Sequence, residues 1–369
     1  MCVRKTRRNI ADLADEPKSW ALADDGDYSR YREGFFEIGN WTSSFFTGMG
    51  LLAWLQTEDE YYLKQVLRLA PAYREKATVR YLDMHHDAGF LYTLYSVALY
   101  TLTGGREHRD VALAAATGLL QRFNHNGGFI RAWGRLDEPA GKLLDGRRTD
   151  NMAIIDCMMN LPLLFWASLE SGDRKYYDAA VRQTDTTLKC FVRADHSVCH
   201  AYRFDLQTGV PLGPDNTCGY GVDSHWARGT AWAIYGFAFA YKYTRDARYL
   251  ETATKLARKF VSLLDEELVP IWDFKLPPGA PLVRDSSALA IALCGFKELA
   301  RLGVTNSAVV DCVRPMLLRL CHEDYLDTSD GCRGILKSAY GSRVAYSSWG
   351  DYFLMEALAR ELGVGDGWW

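Results

Sequence analysis

The chain has 369 residues and a formal charge of -3, with 43 Lys and Arg against 46 Asp and Glu and no block of like charges. That balance argues against nucleic acid or an anionic membrane as the main partner and points to a small, local ligand. Hydrophobic residues make up 48% of the sequence, enough for a large core, yet the longest apolar runs, around Ala231 to Tyr241 and Leu161 to Leu169, are too short to span a bilayer.

The opening stretch, Met1 to Trp20, is basic but lacks the apolar segment of a secretory signal, so the expected location is cytoplasmic. Nine cysteines with no C-x-x-C pair agree with that compartment and read as reduced packing residues. Apolar residues at helical spacing predict helices over 3–14, 43–56, 59–77, 87–103, 106–123, 150–171, 174–192, 224–244, 247–264, 285–302, 306–322 and 347–362, while period-two strand patterns are scarce. Two kinds of connection join them. Short polar turns, as in Thr57 to Leu63, Thr103 to Asp110, Ser171 to Asp178 and Thr244 to Glu251, form a weak repeat that closes one helix and opens the next. Longer segments rich in Gly, Pro, Asp and aromatics, 124–149, 193–223 and 265–284, lead into the next hairpin. Six hairpins joined this way predict an all-α (α/α)6 barrel, a closed toroid of two helix rings. One catalytic domain then spans 1–369, with residues 1–40 as an N-terminal helix and lead-in.

The first helices of the hairpins would form the inner ring, with their N-termini at one mouth. Their entrances read Trp41-Thr-Ser-Ser44, His85-His-Asp87, Arg147-Arg-Thr-Asp-Asn151, Asp223-Ser-His-Trp-Ala-Arg228, Arg284-Asp-Ser-Ser287 and Ser347-Ser-Trp-Gly-Asp351. The Ser, Thr, Asp and Asn residues suit N-caps, but capping does not call for Trp, Arg or His. Rings beside polar groups suit a sugar, whose apolar faces stack while its hydroxyls hydrogen-bond, and converging helix N-termini favour an anionic one.

Within these entrances Asp87 is either an N-cap or a working carboxylate. His85, His86 and Asp87 are consecutive, so their side chains diverge, and no metal or cofactor is expected. Asp156 sits in the apolar run Met152 to Trp166, where desolvation would raise its pKa and fit it to donate a proton. Asn160 falls on the same predicted helix face and is placed to orient it, and Pro162 should bend that helix. His200 lies in a long mouth segment, where it is equally a surface residue or a ligand contact. On the helix expected from Asp223, His225, Arg228 and Trp232 share one face, and Arg228 is either a carboxylate binder or half of a structural ion pair. Two carboxylates on neighbouring inner helices suit glycoside chemistry.

At these residues the chain resembles the unsaturated glucuronyl hydrolases of glycoside hydrolase family 88. The resemblance is carried by Asn40-Trp-Thr-Ser-Ser-Phe-Phe-Thr-Gly48, His85-His-Asp-Ala-Gly-Phe-Leu-Tyr92, Ile155-Asp-Cys-Met-Met-Asn-Leu-Pro-Leu-Leu164, Asp223-Ser-His-Trp-Ala-Arg-Gly-Thr-Ala-Trp-Ala-Ile-Tyr-Gly236, Asp285-Ser-Ser-Ala288 and Ser348-Trp-Gly-Asp-Tyr-Phe353. It implies an (α/α)6 barrel that removes a 4,5-unsaturated uronic acid from the non-reducing end of small lyase-generated oligosaccharides. It also implies that Asp156 protonates C4 and activates the water that adds at C5, with Asp87 the second essential carboxylate. Trp41, His86, His200, Trp226, Arg228 and Trp232 would line the substrate site. One departure is Thr217-Cys218, where well-known members carry His-Gln before Gly-Tyr. Lys337 lies where related enzymes vary with sulfated substrates. The alternatives are an unsaturated rhamnogalacturonyl hydrolase, an inactive sugar-binding barrel, and a ring epimerase using His86 and His200.

Overall fold

The computed structural model describes residues 1–13, 22–23, 25–28, 41–137, 148–341, 343–365 and 367–369. Asn40, Arg147 and most of the 1–40 lead-in lie outside the described residues. In chain order the helices are α1 (Cys2–Leu13), α2 (Ser43–Thr57), α3 (Glu60–Leu67), α4 (Ala70–Thr78), α5 (Ala88–Tyr92), α6 (Ala98–Thr103), α7 (Arg106–Leu120), α8 (Leu161–Ser171), α9 (Arg174–Cys190), α10 (Ala227–Thr244), α11 (Ala247–Ser262), α12 (Ser286–Arg301), α13 (Ser307–Val310), α14 (Val313–Leu320) and α15 (Ser348–Glu361).

The short repeat is a hydrogen-bonded turn. Thr57, Thr103, Ser171 and Thr244 each donate to the carbonyl four residues back and accept the main-chain N–H two residues on. The residue between them turns left-handed: Glu58, Gly104, Gly172 or Arg245. Asp59, Asp173 and Asp246 then cap the next helix by accepting from Tyr61, Lys175 and Arg248 N–H. Such a cap is worth about 1 kcal/mol, so each hairpin carries its own stop and start.

An inner ring runs through α2, the α5–α6 segment, α8, α10, α12 and α15; each packs on the next, and α15 packs back on α2, closing an (α/α)6 barrel. The outer ring holds α3 with α4, α7, α9, α11, and α13 with α14. Its sixth place is taken by α1, which packs on α2 and reaches α15 where Thr6 Oγ1 meets Met355 Sδ at 3.5 Å. The sixth inner–outer pair is therefore not a sequential hairpin.

Several helices differ from expectation. The 59–77 segment breaks at Arg68–Leu69, because Pro71 fits only the first turn of a new helix. The 306–322 segment likewise splits before Pro315. A π turn at Thr93–Val97 joins α5 to α6. Strands also appear, too short for a period-two signal: β1 (Leu22–Ala23), β2 (Phe123–Asn124), β3 (Phe129–Ile130), β4 (Met152–Ile154), β5 (Ala201–Phe204), β6 (Pro211–Asp215), β7 (Ala339–Tyr340) and β8 (Val344–Ser347). They form sheets ordered β1-β8-β7, β2-β3 and β4-β5-β6.

The barrel interior is a stack of rings. Phe90, Trp232, Phe353 and Trp369 meet at centroid distances of 5.2 to 6.1 Å. Glu298 of α12 and Glu356 and Arg360 of α15, in the C-terminal halves of their helices, form a buried ionic network that also takes in Tyr235 from the middle of α10.

Candidate active site

The segment expected as a helix from residue 150 begins as β4, passes through a 3-10 turn at Ile155–Met159, and becomes α8 only at Leu161. Pro162 starts α8 and does not bend it. β4 pairs with β5, so Ile154 lies across from Ala201 and Ile155 N donates to His200 O at 2.9 Å. β6 pairs on the far side of β5, with Asp215 across from Ala201, and delivers Thr217 and Cys218. The small sheet thus brings Asp156, His200 and Thr217-Cys218 together.

The Asp156 turn is held between two helices that approach it through glycines. A Cβ on Gly89 of α5 would lie 2.2 Å from Asn160 Cα, and one on Gly236 of α10 would lie 2.4 Å from Met158 Cβ. Asn160 locks the first contact: its Oδ1 accepts from Phe90 N at 2.8 Å and its Nδ2 donates to Asp156 O at 3.1 Å. It holds the main chain of both carboxylate segments and does not touch the Asp156 carboxyl oxygens, a correction to the orienting role expected from helical spacing.

Of the six inner-helix entrances, Asp285 and Ser347 cap with their side chains. Asp87 occupies the N-cap position of α5 but makes no capping bond. Its carboxyl is raised to about 8 by burial and then by the charge of Asp156, against smaller lowering by Arg122 and Asn160. Burial raises Asp156 to about 6, offset by the Arg228 charge and its own main chain. Asp87 keeps its proton at neutrality while Asp156 titrates just below it, and two neighbouring carboxyls set apart in this way are matched to general acid and base work.

His86 is fully buried, with Nε2 3.3 Å from Asp87 Oδ1 and neither ring nitrogen hydrogen-bonded. Burial holds it well below its ordinary range, so it is neutral. His200, left open as a surface residue, is buried at the start of β5, with Nε2 3.8 Å from Asp156 Oδ2. Its ring meets the Trp226 edge at 5.2 Å. Arg228 Nη1 donates to Asp285 Oδ2 at 2.8 Å and to Tyr340 O, and its guanidinium lies 4.7 Å from the Trp226 ring and 5.4 Å from Trp349. The ion pair is real, yet Nε and Nη2 have no partner among the described residues and remain available to an anion. Trp41, half-buried, packs on Trp349 at 4.9 Å. Trp232 is fully buried, so it forms the floor below the mouth, with its Nε1 unpaired. His225 leaves the face assigned to it: α10 starts at Ala227, and the His225 ring packs on Phe274.

One ring, Trp133, and one cation, Arg122, escaped the sequence reading of the site, and Trp349 was placed at an inner-helix entrance without a role of its own. Trp349 completes the wall from Trp41 to Arg228. Trp133 stands edge-on to His86 at 6.4 Å. Buried Arg122 donates to the carbonyls of Met84, Arg131, Trp133 and Gly134, pinning the Trp133 segment to the chain that leads into Asp87. Trp133 had one signal, a lone Trp in a polar mouth segment; Arg122 had none. Cys218 is exposed, and desolvation followed by the charge of Asp156 lifts its thiol to about 11. It acts as a thiol, not as a thiolate.

A stability consequence follows for Asp87. Its folded value, about 8, lies above the ordinary 3.8, so its contribution is intact below 3.8 and is lost as pH rises towards 8. At pH 7 the fold must hold a proton that the unfolded chain releases, a cost of about 2–4 kcal/mol. Asp87→Asn is therefore expected to melt about 3 °C above the unsubstituted protein at pH 7, with the gap shrinking at pH 4.5, as read by calorimetry.

The Glycosyl Hydrolase Family 88 model matches residues 33–271. The chain is 35% identical over 343 residues to the unsaturated glucuronyl hydrolase of Bacillus sp. (strain GL1), covering 89% of this chain and 88% of that protein. It is 34% identical over 331 residues to the unsaturated chondroitin disaccharide hydrolase of Streptococcus pyogenes serotype M1, covering 87% and 80%. The crystal structure of the Bacillus sp. GL1 enzyme, described as responsible for the degradation of glycosaminoglycan, superposes with a TM-score of 0.89 at 33% identity, covering 100% of this chain and 97% of that one. With two carboxyls raised by burial beside a wall of rings, the chain belongs to glycosyl hydrolase family 88 and is a glycosidase.

Proposed function

We propose that this glycosidase removes a 4,5-unsaturated uronic acid from the non-reducing end of small oligosaccharides by hydrating the C4=C5 enol ether. The observation that carries the reading is the pair Asp87 and Asp156, both raised by burial, beside the available edge of Arg228. Asp156 gives its proton to C4 as the π electrons form the new C4–H bond, leaving a cation at C5 stabilised by the ring oxygen. The resulting carboxylate takes a proton from the water that adds at C5. The hemiketal then opens and expels the leaving sugar. Asp87, protonated near neutrality, donates a hydrogen bond to the sugar, Trp41, Trp226 and Trp349 supply flat surfaces for it, and Arg228 pairs with the uronate carboxylate.

This chemistry needs no cofactor. We assign the whole chain to one catalytic domain, since a single buried cluster includes residues from Ile10 to Trp369. We assign it to the cytoplasm on the strength of nine free cysteines. No helix among the described residues is long and apolar enough to cross a membrane.

The test is to incubate the protein with unsaturated disaccharides from chondroitin, hyaluronan, heparin and gellan and follow the ultraviolet absorbance of the double bond. Loss on at least one is expected, and no loss on any overturns the reading. Because Asp156 must begin protonated and titrates at about 6, kcat/KM should be flat below that pH and fall about tenfold per unit above it. A rate that rises between pH 6 and 8 would remove Asp156 as the acid.

A further inference from the structure

The Asp156 carboxyl is faced by Asp87 at the entrance to α5, His200 just before β5, Arg228 from α10, and Cys218 from the segment after β6. Among these, His200 has a ring whose proton can sit on either nitrogen. The structure leaves one choice. Thr217 N lies 3.1 Å from His200 Nδ1, and a main-chain N–H can only donate, so Nδ1 must present its lone pair. The Thr217 hydroxyl, 3.2 Å from the same nitrogen, can donate to it as well. Burial holds His200 neutral, down to about 3, so its single ring proton resides on Nε2. That nitrogen is buried without a hydrogen bond and points at Asp156 Oδ2, itself without one, at 3.8 Å.

We propose that Thr217 is a positioning residue: by occupying His200 Nδ1 it fixes the Nε2–H tautomer and makes His200 a hydrogen-bond donor towards Asp156. The inference deepens the reading of Asp156 as proton donor and rests on it. In the resting geometry the contact is too long for a hydrogen bond, and a small rotation of either side chain closes it. It strengthens when Asp156 becomes a carboxylate, that is, after its proton has gone to the sugar. The opposite tautomer would set a lone pair against that charge. The strand register supplies the device: Ala201 of β5 pairs with Ile154 on one side and Asp215 on the other, so His200, the residue before β5, lies between the Asp156 turn and Thr217.

The test reads the tautomer directly, by nitrogen NMR of protein labelled at histidine, with His200 assigned by its loss in His200→Gln. Protonated Nε2, bare Nδ1 and no titration between pH 5 and 8 are expected; a proton on Nδ1, or titration in that range, overturns the proposal. Thr217→Val keeps the main-chain N–H and should keep the tautomer, whereas a changed tautomer in this variant would transfer the role to the hydroxyl and overturn the main-chain assignment. Thr217→Pro removes the N–H. It should mix the two tautomers, lower kcat about tenfold, move the falling limb of the pH profile up by about one unit, and change KM less than threefold; an unmoved limb with a mixed tautomer overturns the link to Asp156. If Thr217→Pro does not fold, the spectra of the unsubstituted protein and Thr217→Val decide the matter. Because no substrate is needed for the spectra, inactivity on every disaccharide would sink the proposed reaction without touching the tautomer.

Discussion

Asp156→Asn is expected to lower kcat by about 10^4-fold, about 5.5 kcal/mol of transition-state stabilisation, while the protein stays folded. The amide matches the carboxyl in size but carries no transferable proton, so it can neither protonate C4 nor accept a proton from water. Stability should not suffer. Asp156 Oδ2 has no hydrogen bond to lose, and the Asn160 bond goes to the Asp156 main chain, which the substitution keeps. Burial raises the carboxyl to about 6, so its folded state also carries a desolvation cost at pH 7 that Asn removes. The measurements are turnover by ultraviolet absorbance and melting by circular dichroism. A rate within tenfold of the unsubstituted enzyme would exclude Asp156 from the proton transfer.

Gly89→Ala is expected to cost about 3 kcal/mol or more, about 4 °C in Tm, and about 100-fold in kcat. The added methyl would meet Asn160 Cα at 2.2 Å, its carbonyl oxygen at 2.5 Å and its carbonyl carbon at 2.7 Å. All three are main-chain atoms and cannot rotate away, so α5 and the Asp156 turn must separate. Asp87 precedes Gly89 by two residues and Asp156 precedes Asn160 by four, so the strain falls between the two carboxyls. Gly331→Ala is the control, because a Cβ there meets nothing within 4 Å, and both stability and rate should stay near their original values. If Gly89→Ala melts with the control and keeps full activity, the close approach does not set the carboxylate geometry.

The hairpin architecture was legible because its cause is local. A hydroxyl at the helix end and an aspartate two residues later write the turn into the chain at 57–59, 171–173 and 244–246. The run from Met152 to Trp166 was misread as one helix because a continuous apolar stretch has no period that separates a buried strand from a buried helix. Only pairing with the distant β5 decides it. For the same reason His200 could not be distinguished from a surface residue, and the joint role of Asp285 in capping α12 and holding Arg228 left only its capping half visible. Asp87 stood open between an N-cap and a working carboxylate, because a helix start fits both, and only the side-chain geometry shows that it makes no capping bond.

The contact of α15 on α2 joins segments separated by nearly the whole chain, and this shapes how the protein must fold. Until α15 is in place, α2 presents an apolar flank that no neighbouring hairpin covers, and α2 is buried along most of its length in the finished ring. Repeats in an open stack can unravel from a free end and gain stability one unit at a time. A closed ring of six has no free end, so opening any inner-helix contact exposes two flanks at once. Unfolding should therefore be strongly cooperative, folding slow for an α-helical protein because its last contact is so distant in sequence, and the half-made ring a natural client for chaperones.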